Sequence, residues 1–233
     1  MARTLGTVEG IWRYPVKSLG GERLTSVDVE ARGLAADRWW AVRDADGKFG
    51  SGKTTRRFRR MAGLLRLSAR HTGGVPQVCG PDGEPVADAD AFLRAYLGRD
   101  DVGLAAEGVV SHFDELPVSV LATATLDWAR AALPGVTVDE RRFRPNLLVR
   151  TPPGTEPFTE DTWLGHTATV GGVRLEFVRS SVRCVMVNEA QPGLAHDASV
   201  LRTIARCHAN TLAALATVPR PGHVRVGDAV VLG

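Results

Sequence analysis

Short stretches of alternating apolar and polar residues, each closed by turn residues, recur along most of the chain, and this pattern limits the fold more than any other feature. Thr7–Tyr14 and Leu24–Val29 alternate, and Arg38–Val42 is a short apolar and aromatic run. Asp44-Ala-Asp-Gly47 supplies turn chemistry between two such runs, as in a hairpin. Leu64–Ala69, Phe143–Val149, Ala168–Val178 (with Gly171-Gly172 as an internal turn) and Gly222–Leu232 read as further strands, the last as a closing pair. Helical spacing is visible in three places. Asp88–Leu97 carries Ala91, Phe92, Ala95 and Tyr96; Ser119–Leu133 carries Val120, Leu121, Ala124, Trp128 and Ala131 before Pro134-Gly135; Asp197–Leu212 carries Val200, Ile204 and Ala205. No regular alternation of strand and helix is present, so a doubly wound parallel sheet is disfavoured. The expected class is α+β, mainly β: an N-terminal β-barrel-like domain at 1–105, then a β-barrel with flanking helices at 106–233, joined near the loop 98–115.

At 233 residues the chain is long enough to bury a substantial core. No apolar run reaches the ~18 residues a membrane-spanning helix requires, and the first ten residues lack a basic head followed by an apolar stretch. Cys79, Cys184 and Cys207 are odd in number and far apart, which argues against a disulfide framework and for a reducing, cytoplasmic location. An iron–sulfur cluster held by this chain alone would need about four cysteines. The net charge is +3 with 29 basic residues, and only Lys17, Lys48 and Lys53 are lysines. Arginine grips phosphate in a planar fork, but a GC-rich genome enriches it everywhere, so each arginine has to be argued by position.

Gly47-Lys-Phe-Gly-Ser-Gly-Lys53-Thr54 satisfies the P-loop pattern. That motif works only between a buried strand and a helix N-terminus. Here a hairpin turn precedes it and Thr55-Arg-Arg-Phe-Arg-Arg60 follows, so a flexible, Gly-rich hairpin loop is the better reading, one that leaves room for it to overhang a pocket. The same basic run has only Phe58 as a stacking platform, and a solvated face is expected rather than a nucleic-acid site. Cys184 follows the strand ending near Val178, within Arg179-Ser-Ser-Val-Arg-Cys-Val-Met186. A lone cysteine is ordinarily a small buried hydrophobe; Arg183 and Arg179 beside it favour a thiolate, the form that binds soft metals.

Tyr14-Pro-Val-Lys-Ser18, Gly33 with Asp37-Arg38-Trp39, Arg142-Phe-Arg-Pro-Asn146, Arg183-Cys184 and Gly222-His-Val-Arg-Val-Gly-Asp228 occur in the order found in MOSC proteins. Those proteins carry an N-terminal β-barrel domain before the MOSC domain, and the layout resembles the amidoxime-reducing components within that family. The resemblance implies a molybdenum cofactor (molybdenum on molybdopterin) with Cys184 as metal ligand, and Lys17, Ser18, Arg38, Arg144 and Arg183 holding the pterin and its phosphate. It implies Asp114 near the metal as proton donor or orienter of bound water, with Glu115 and Leu116 touching the cofactor. It further implies reduction of a small N-hydroxylated substrate with electrons from a separate donor protein, and no nucleic-acid partner. A cofactor carrier or sulfur-handling module, and a metal-free scaffold with other chemistry, remain open alternatives. The chain departs from the family after Cys184, at Val187-Asn-Glu-Ala-Gln-Pro-Gly193. It departs again at Leu212-Ala-Ala-Leu215, where an aromatic pair around a glycine is usual.

Overall fold

The computed structural model describes residues 2–233. Seven strands close into a barrel in the order Leu147–Arg150, Val118–Ala122, Thr211–Arg220, Val173–Val182, Thr167–Val170, Ala229–Leu232 and Arg3–Arg13, the last pairing back to the first. The earliest strand in sequence therefore completes a barrel made otherwise from residues after 117. Gly6 and the irregularity between Val8 and Gly10 let this strand bend between two neighbours; a Cβ on Gly6 would lie 2.0 Å from the Arg150 carbonyl oxygen. Inward residues such as Val8, Ile11, Val120, Val149, Phe177 and Ala216 fill the barrel interior together with Trp163.

A second, open sheet runs Val102–Ala106, Trp40–Asp44, Phe49–Ser51 and Phe58–Arg60, with Val16–Lys17 pairing in parallel to Trp40–Asp44. Its core is Val16, Leu19, Val42, Leu64, Leu67, Val78 and Leu93. The Asp44–Gly47 turn joins two antiparallel strands, as expected. Helix α1 (Ala89–Leu97) packs here, capped by Asp88 and ended by Gly98 in the left-handed conformation.

Several elements differ from the sequence reading. Residues expected to begin the long helix, Ser119–Ala122, belong to the fully buried strand Val118–Ala122; helix α2 is Thr123–Ala132. An apolar run flanked by strands on both sides is read equally well as helix or buried strand, and pairing decides it. Helix α3 is shorter than expected, Ser199–Cys207; Ala209 and Asn210 at positive φ turn the chain into the barrel strand Thr211–Arg220. The strand expected from Phe143 begins only at Leu147, because Arg144 takes a left-handed φ of 52° after a 3-10 turn, Glu140–Arg142. Leu64–Arg66 is a 3-10 turn, with a strand only at Ser68–Arg70. Finally, Gly222–Arg225 and Ala229–Leu232 do not pair with each other. The first pairs with Ser26–Glu30, the second with Arg3–Arg13 and Thr167–Val170.

Candidate functional site

One cavity lies where the open sheet meets the barrel, and Lys17, Ser18, Arg38, Asp114, Glu115, Leu116, Arg144, Arg183 and Cys184 all line it. Three of them share one backbone device. Ser18, Arg38 and Arg144 hold left-handed φ values of 68°, 55° and 52°, which cost non-glycine residues of order 1–3 kcal/mol each and persist where the surroundings over-determine them. Those surroundings are visible. Tyr14 N–H donates to Asp37 Oδ1 (2.7 Å), Arg38 N–H donates to the Tyr14 carbonyl (2.8 Å), and the Arg38 guanidinium pairs with the Asp37 carboxylate. Arg144 donates to the Leu19 carbonyl (2.5 Å). The fully buried Tyr14 ring lies beneath both guanidinium groups, 5.0 Å from Arg38 and 4.1 Å from Arg144. Tyr14 therefore orders two cations from distant parts of the chain, a role its place beside Pro15 in the sequence did not reveal.

Lys17 is 5% exposed; its ammonium donates to the His112 carbonyl (2.6 Å) and to Asp114 Oδ1 (2.8 Å). Burial pushes its pKa down to about 8, although Asp114 works the other way. Burial would raise Asp114, but the Lys17 charge and hydrogen bond prevail and hold its carboxyl below the usual range. His112, absent from the sequence reading, is fully buried. It accepts from Arg43 Nη2 at Nε2 (3.0 Å) and donates from Nδ1 to the Arg38 carbonyl (2.9 Å), a tautomer fixed by these partners. Burial first, with the cations Arg43 and Lys17 adding to it, lowers its pKa to about 4, so the ring is neutral.

Arg183 and Cys184 follow the barrel strand Val173–Val182. Asn210 clasps this point, accepting from Arg183 N–H (2.9 Å) and donating to its carbonyl (2.8 Å). The Arg183 guanidinium donates to the Phe143 carbonyl (2.6 Å) and Ser181 Oγ (2.9 Å), while its buried Nε has no partner. Cys184 is half-buried and opens the 3-10 turn Val185–Asn188. The departing segment behind it is tied down by Arg142, which donates to the carbonyls of Thr137, Val187 and Ala195. Glu115 pairs with Arg179 (3.1 Å).

The Gly-rich loop does overhang this cavity, through Ser51 and Lys53. No helix follows it. Two of its glycines have packing reasons: a Cβ on Gly50 would meet Met61 and Leu64, and one on Gly52 would meet Met186, whose sulfur accepts from Gly52 N–H (3.0 Å). In the basic run, Arg57 donates to the Ser111 and Phe113 carbonyls and Arg59 pairs with Asp44, leaving Arg56 and Arg60 exposed.

The cavity wall carries Lys17, Arg38, Lys53, Arg142, Arg144 and Arg183 against only two carboxylates, Asp114 and Glu115. Burial also depresses Arg144, to about 10, and Arg183. Cations held in a desolvated wall, with the Arg183 Nε and Ser119 Oγ unpartnered, suit a multiply charged anion with further hydrogen-bonding groups. Among the described residues no three His, Cys, Asp or Glu side chains converge as a metal site; Cys184 is the thiol on the cavity wall.

Comparison with known proteins agrees with this layout. The MOSC domain model matches residues 107–231, and the MOSC N-terminal beta barrel domain model matches 5–79. Mitochondrial amidoxime-reducing component 1 from Mus musculus is 24% identical over 98% of this chain and 82% of its own length. The Homo sapiens protein of the same name is 23% identical over 100% and 84%. Among solved structures, the YUAD protein from Bacillus subtilis shares the fold at a TM-score of 0.54 and 12% identity, covering 100% of this chain and 97% of that one. Among the described residues no helix is long and apolar enough to cross a membrane.

Proposed function

The chain belongs to the MOSC domain family, and from that premise we propose that it binds a molybdenum–pterin cofactor and reduces small N-hydroxylated molecules with electrons from a separate donor protein. One observation carries the reading. Residues from five separate stretches, singled out by the resemblance, line a single cavity whose surplus of buried cations suits the cofactor's phosphate. The names of the amidoxime-reducing relatives support the reaction class.

When bound, the cofactor supplies the two-electron redox change that converts R–NHOH, two protons and two electrons to R–NH2 and water. The chain supplies the rest. Cys184 is the thiolate ligand. Arg38, Arg144 and Arg183, with Ser18, hold the phosphate and pterin, and Glu115 and Leu116 flank them. Lys17 keeps Asp114 ionised, so Asp114 acts as an acceptor that orients a water or substrate N–H, and the Lys17 ammonium is the nearer proton source. In the same reading, residues 1–105 and 106–233 are two parts that share the barrel through the Arg3–Arg13 strand, and the three free cysteines suit a reducing cytoplasm.

The test is metal and pterin content, measured on wild type and Cys184→Ala from a cofactor-competent host. About one molybdenum per wild-type chain and its loss in the variant support the ligand assignment. Equal metal in both removes it, and wild type devoid of both metal and pterin removes the cofactor reading. Bound pterin without reduction of benzamidoxime or a hydroxylamine by an artificial donor leaves a carrier instead.

A further inference from the structure

Five cations in and beside the cavity form two groups, each built on one aromatic ring. Arg38 and Arg144 stack on Tyr14. The second group surrounds Phe58, with Lys17 Nζ 5.4 Å, Lys53 Nζ 4.9 Å and Arg57 Cζ 5.6 Å from the ring centroid. Of the carboxylates near these three charges, Asp114 is taken by Lys17, and Glu189, beside Gly52, makes no ion pair among the described residues. Arg57 has only neutral carbonyl partners, at Ser111 and Phe113. Lys53 is half-buried on the cavity wall and makes no hydrogen bond or ion pair among the described residues. The backbone leading into it is nevertheless held. The preceding Gly52 N–H bonds Met186, two residues beyond Cys184, and any side chain at Gly52 would crowd Met186 and Glu189. The loop thus sets an unsatisfied ammonium beside an apolar wall of Phe58, Val182 and Met186, on the Cys184 side of the cavity.

Resting on the function proposed above, we propose that this second group is a substrate anion subsite: the substrate is an N-hydroxylated compound bearing a carboxylate, which Lys53 receives while the apolar body lies against Phe58. The Tyr14 group, a separate pair of guanidinium groups, is left for the cofactor's phosphate. An ammonium that is partly desolvated and has no internal partner gains a charge-assisted hydrogen bond from such a ligand, whereas a neutral ligand leaves it stranded. The residual positive charge around Phe58 also steers anions toward the mouth.

Calorimetric titration of the protein as purified, with benzamidoxime and with 4-carboxybenzamidoxime, tests this by binding alone, whether or not reduction occurs. Wild type should bind the carboxylated compound roughly tenfold more tightly at low ionic strength, and added salt should shrink that ratio. Lys53→Gln should bring the ratio close to one, and Lys53→Arg should keep it. A wild-type ratio near one, or an undiminished ratio in Lys53→Gln, overturns the proposal. So does a Lys53→Gln protein that has lost its pterin, because the cation would then belong to the cofactor's phosphate. Failure of the cofactor reading shows separately, as wild type without pterin or molybdenum.

Discussion

The Lys17 ammonium lies 2.8 Å from the Asp114 carboxylate, and the pair joins the two halves of the cavity wall: Lys17 comes from the open sheet, Asp114 from the loop that enters the barrel. Burial has brought the lysine to about pH 8 while Asp114 stays ionised. Affinity of the cofactor-free protein for inorganic phosphate should therefore fall as pH rises through about 8. Lys17→Arg should flatten that fall, since guanidinium keeps its proton. Asp114→Asn should move the midpoint lower, because Asp114 is what holds the lysine's proton on. A midpoint that stays put or rises in Asp114→Asn refutes the coupling. Stability follows the same linkage. Between about pH 8 and the ordinary 10.5 the unfolded chain binds the extra proton, so wild type should gain stability relative to Lys17→Met across that window, the cost being fully present below it.

His112 has the opposite relation to its neighbours, buried neutral between a carbonyl and a guanidinium. Its folded pKa, about 4, lies below the ordinary 6.5, so the unfolded chain binds more protons in that interval. Wild type should lose stability as pH falls from about 6.5 to about 4, and His112→Phe should lack that component in denaturant titrations. The ring contact with Phe49 can survive the change. The Arg38 carbonyl and Arg43 would lose partners, at about 1–3 kcal/mol near neutral pH. Identical acid slopes for both proteins would show that His112 is not the group responsible.

The barrel class and the cavity residues were legible because each rests on local alternation or on short motifs read in order; the Gly-rich segment was legible as a loop, but not its packing against Met61, Leu64 and Met186. Three further features were not legible, for distinct reasons. Val118–Ala122 is buried on all sides, so it carries no period-2 signature, and only pairing with Leu147–Arg150 and Thr211–Arg220 makes it a strand. The Arg3–Arg13 strand closes a barrel more than a hundred residues away, a non-local pairing that no window of sequence reports. Tyr14 and His112 act through their neighbours, stacking under Arg38 and Arg144 or fixing the Arg38 carbonyl, and such contacts appear only once the chain has been brought together.

Gly50 belongs to the segment that mimics a phosphate-binding loop, but its surroundings are apolar: an added Cβ would lie 2.7 Å from Leu64 Cδ1 and 2.8 Å from Met61 Sδ. Gly50→Ala should cost about 1–3 kcal/mol by overpacking, read from the denaturation midpoint. Wild type should show no ATP- or GTP-dependent thermal shift. A nucleotide-induced shift abolished by Gly50→Ala would restore the phosphate-loop reading.

Ala213 is the last and most local case. It sits at φ 76° in the strand Thr211–Arg220, where pairing with Val173–Val182 slips between Ser180 and Val182. This is the left-handed position of a bulge that glycine ordinarily fills. Replacing Ala213 with glycine relieves about 1–2 kcal/mol of backbone strain, against about 0.5–1 kcal/mol of added chain entropy and about 0.8 kcal/mol for one buried methyl group. The three nearly cancel, so Ala213→Gly should be close to neutral. Ala214 next to it, equally buried but with no positive φ, has no strain to relieve, and Ala214→Gly should cost about 1–2 kcal/mol from the same two losses. Val at 213 should be worse than either, because a β-branched side chain tolerates left-handed φ least. Denaturant unfolding of the three variants decides the matter: equal costs for the two glycine variants would mean that the bulge at Ala213 carries no strain.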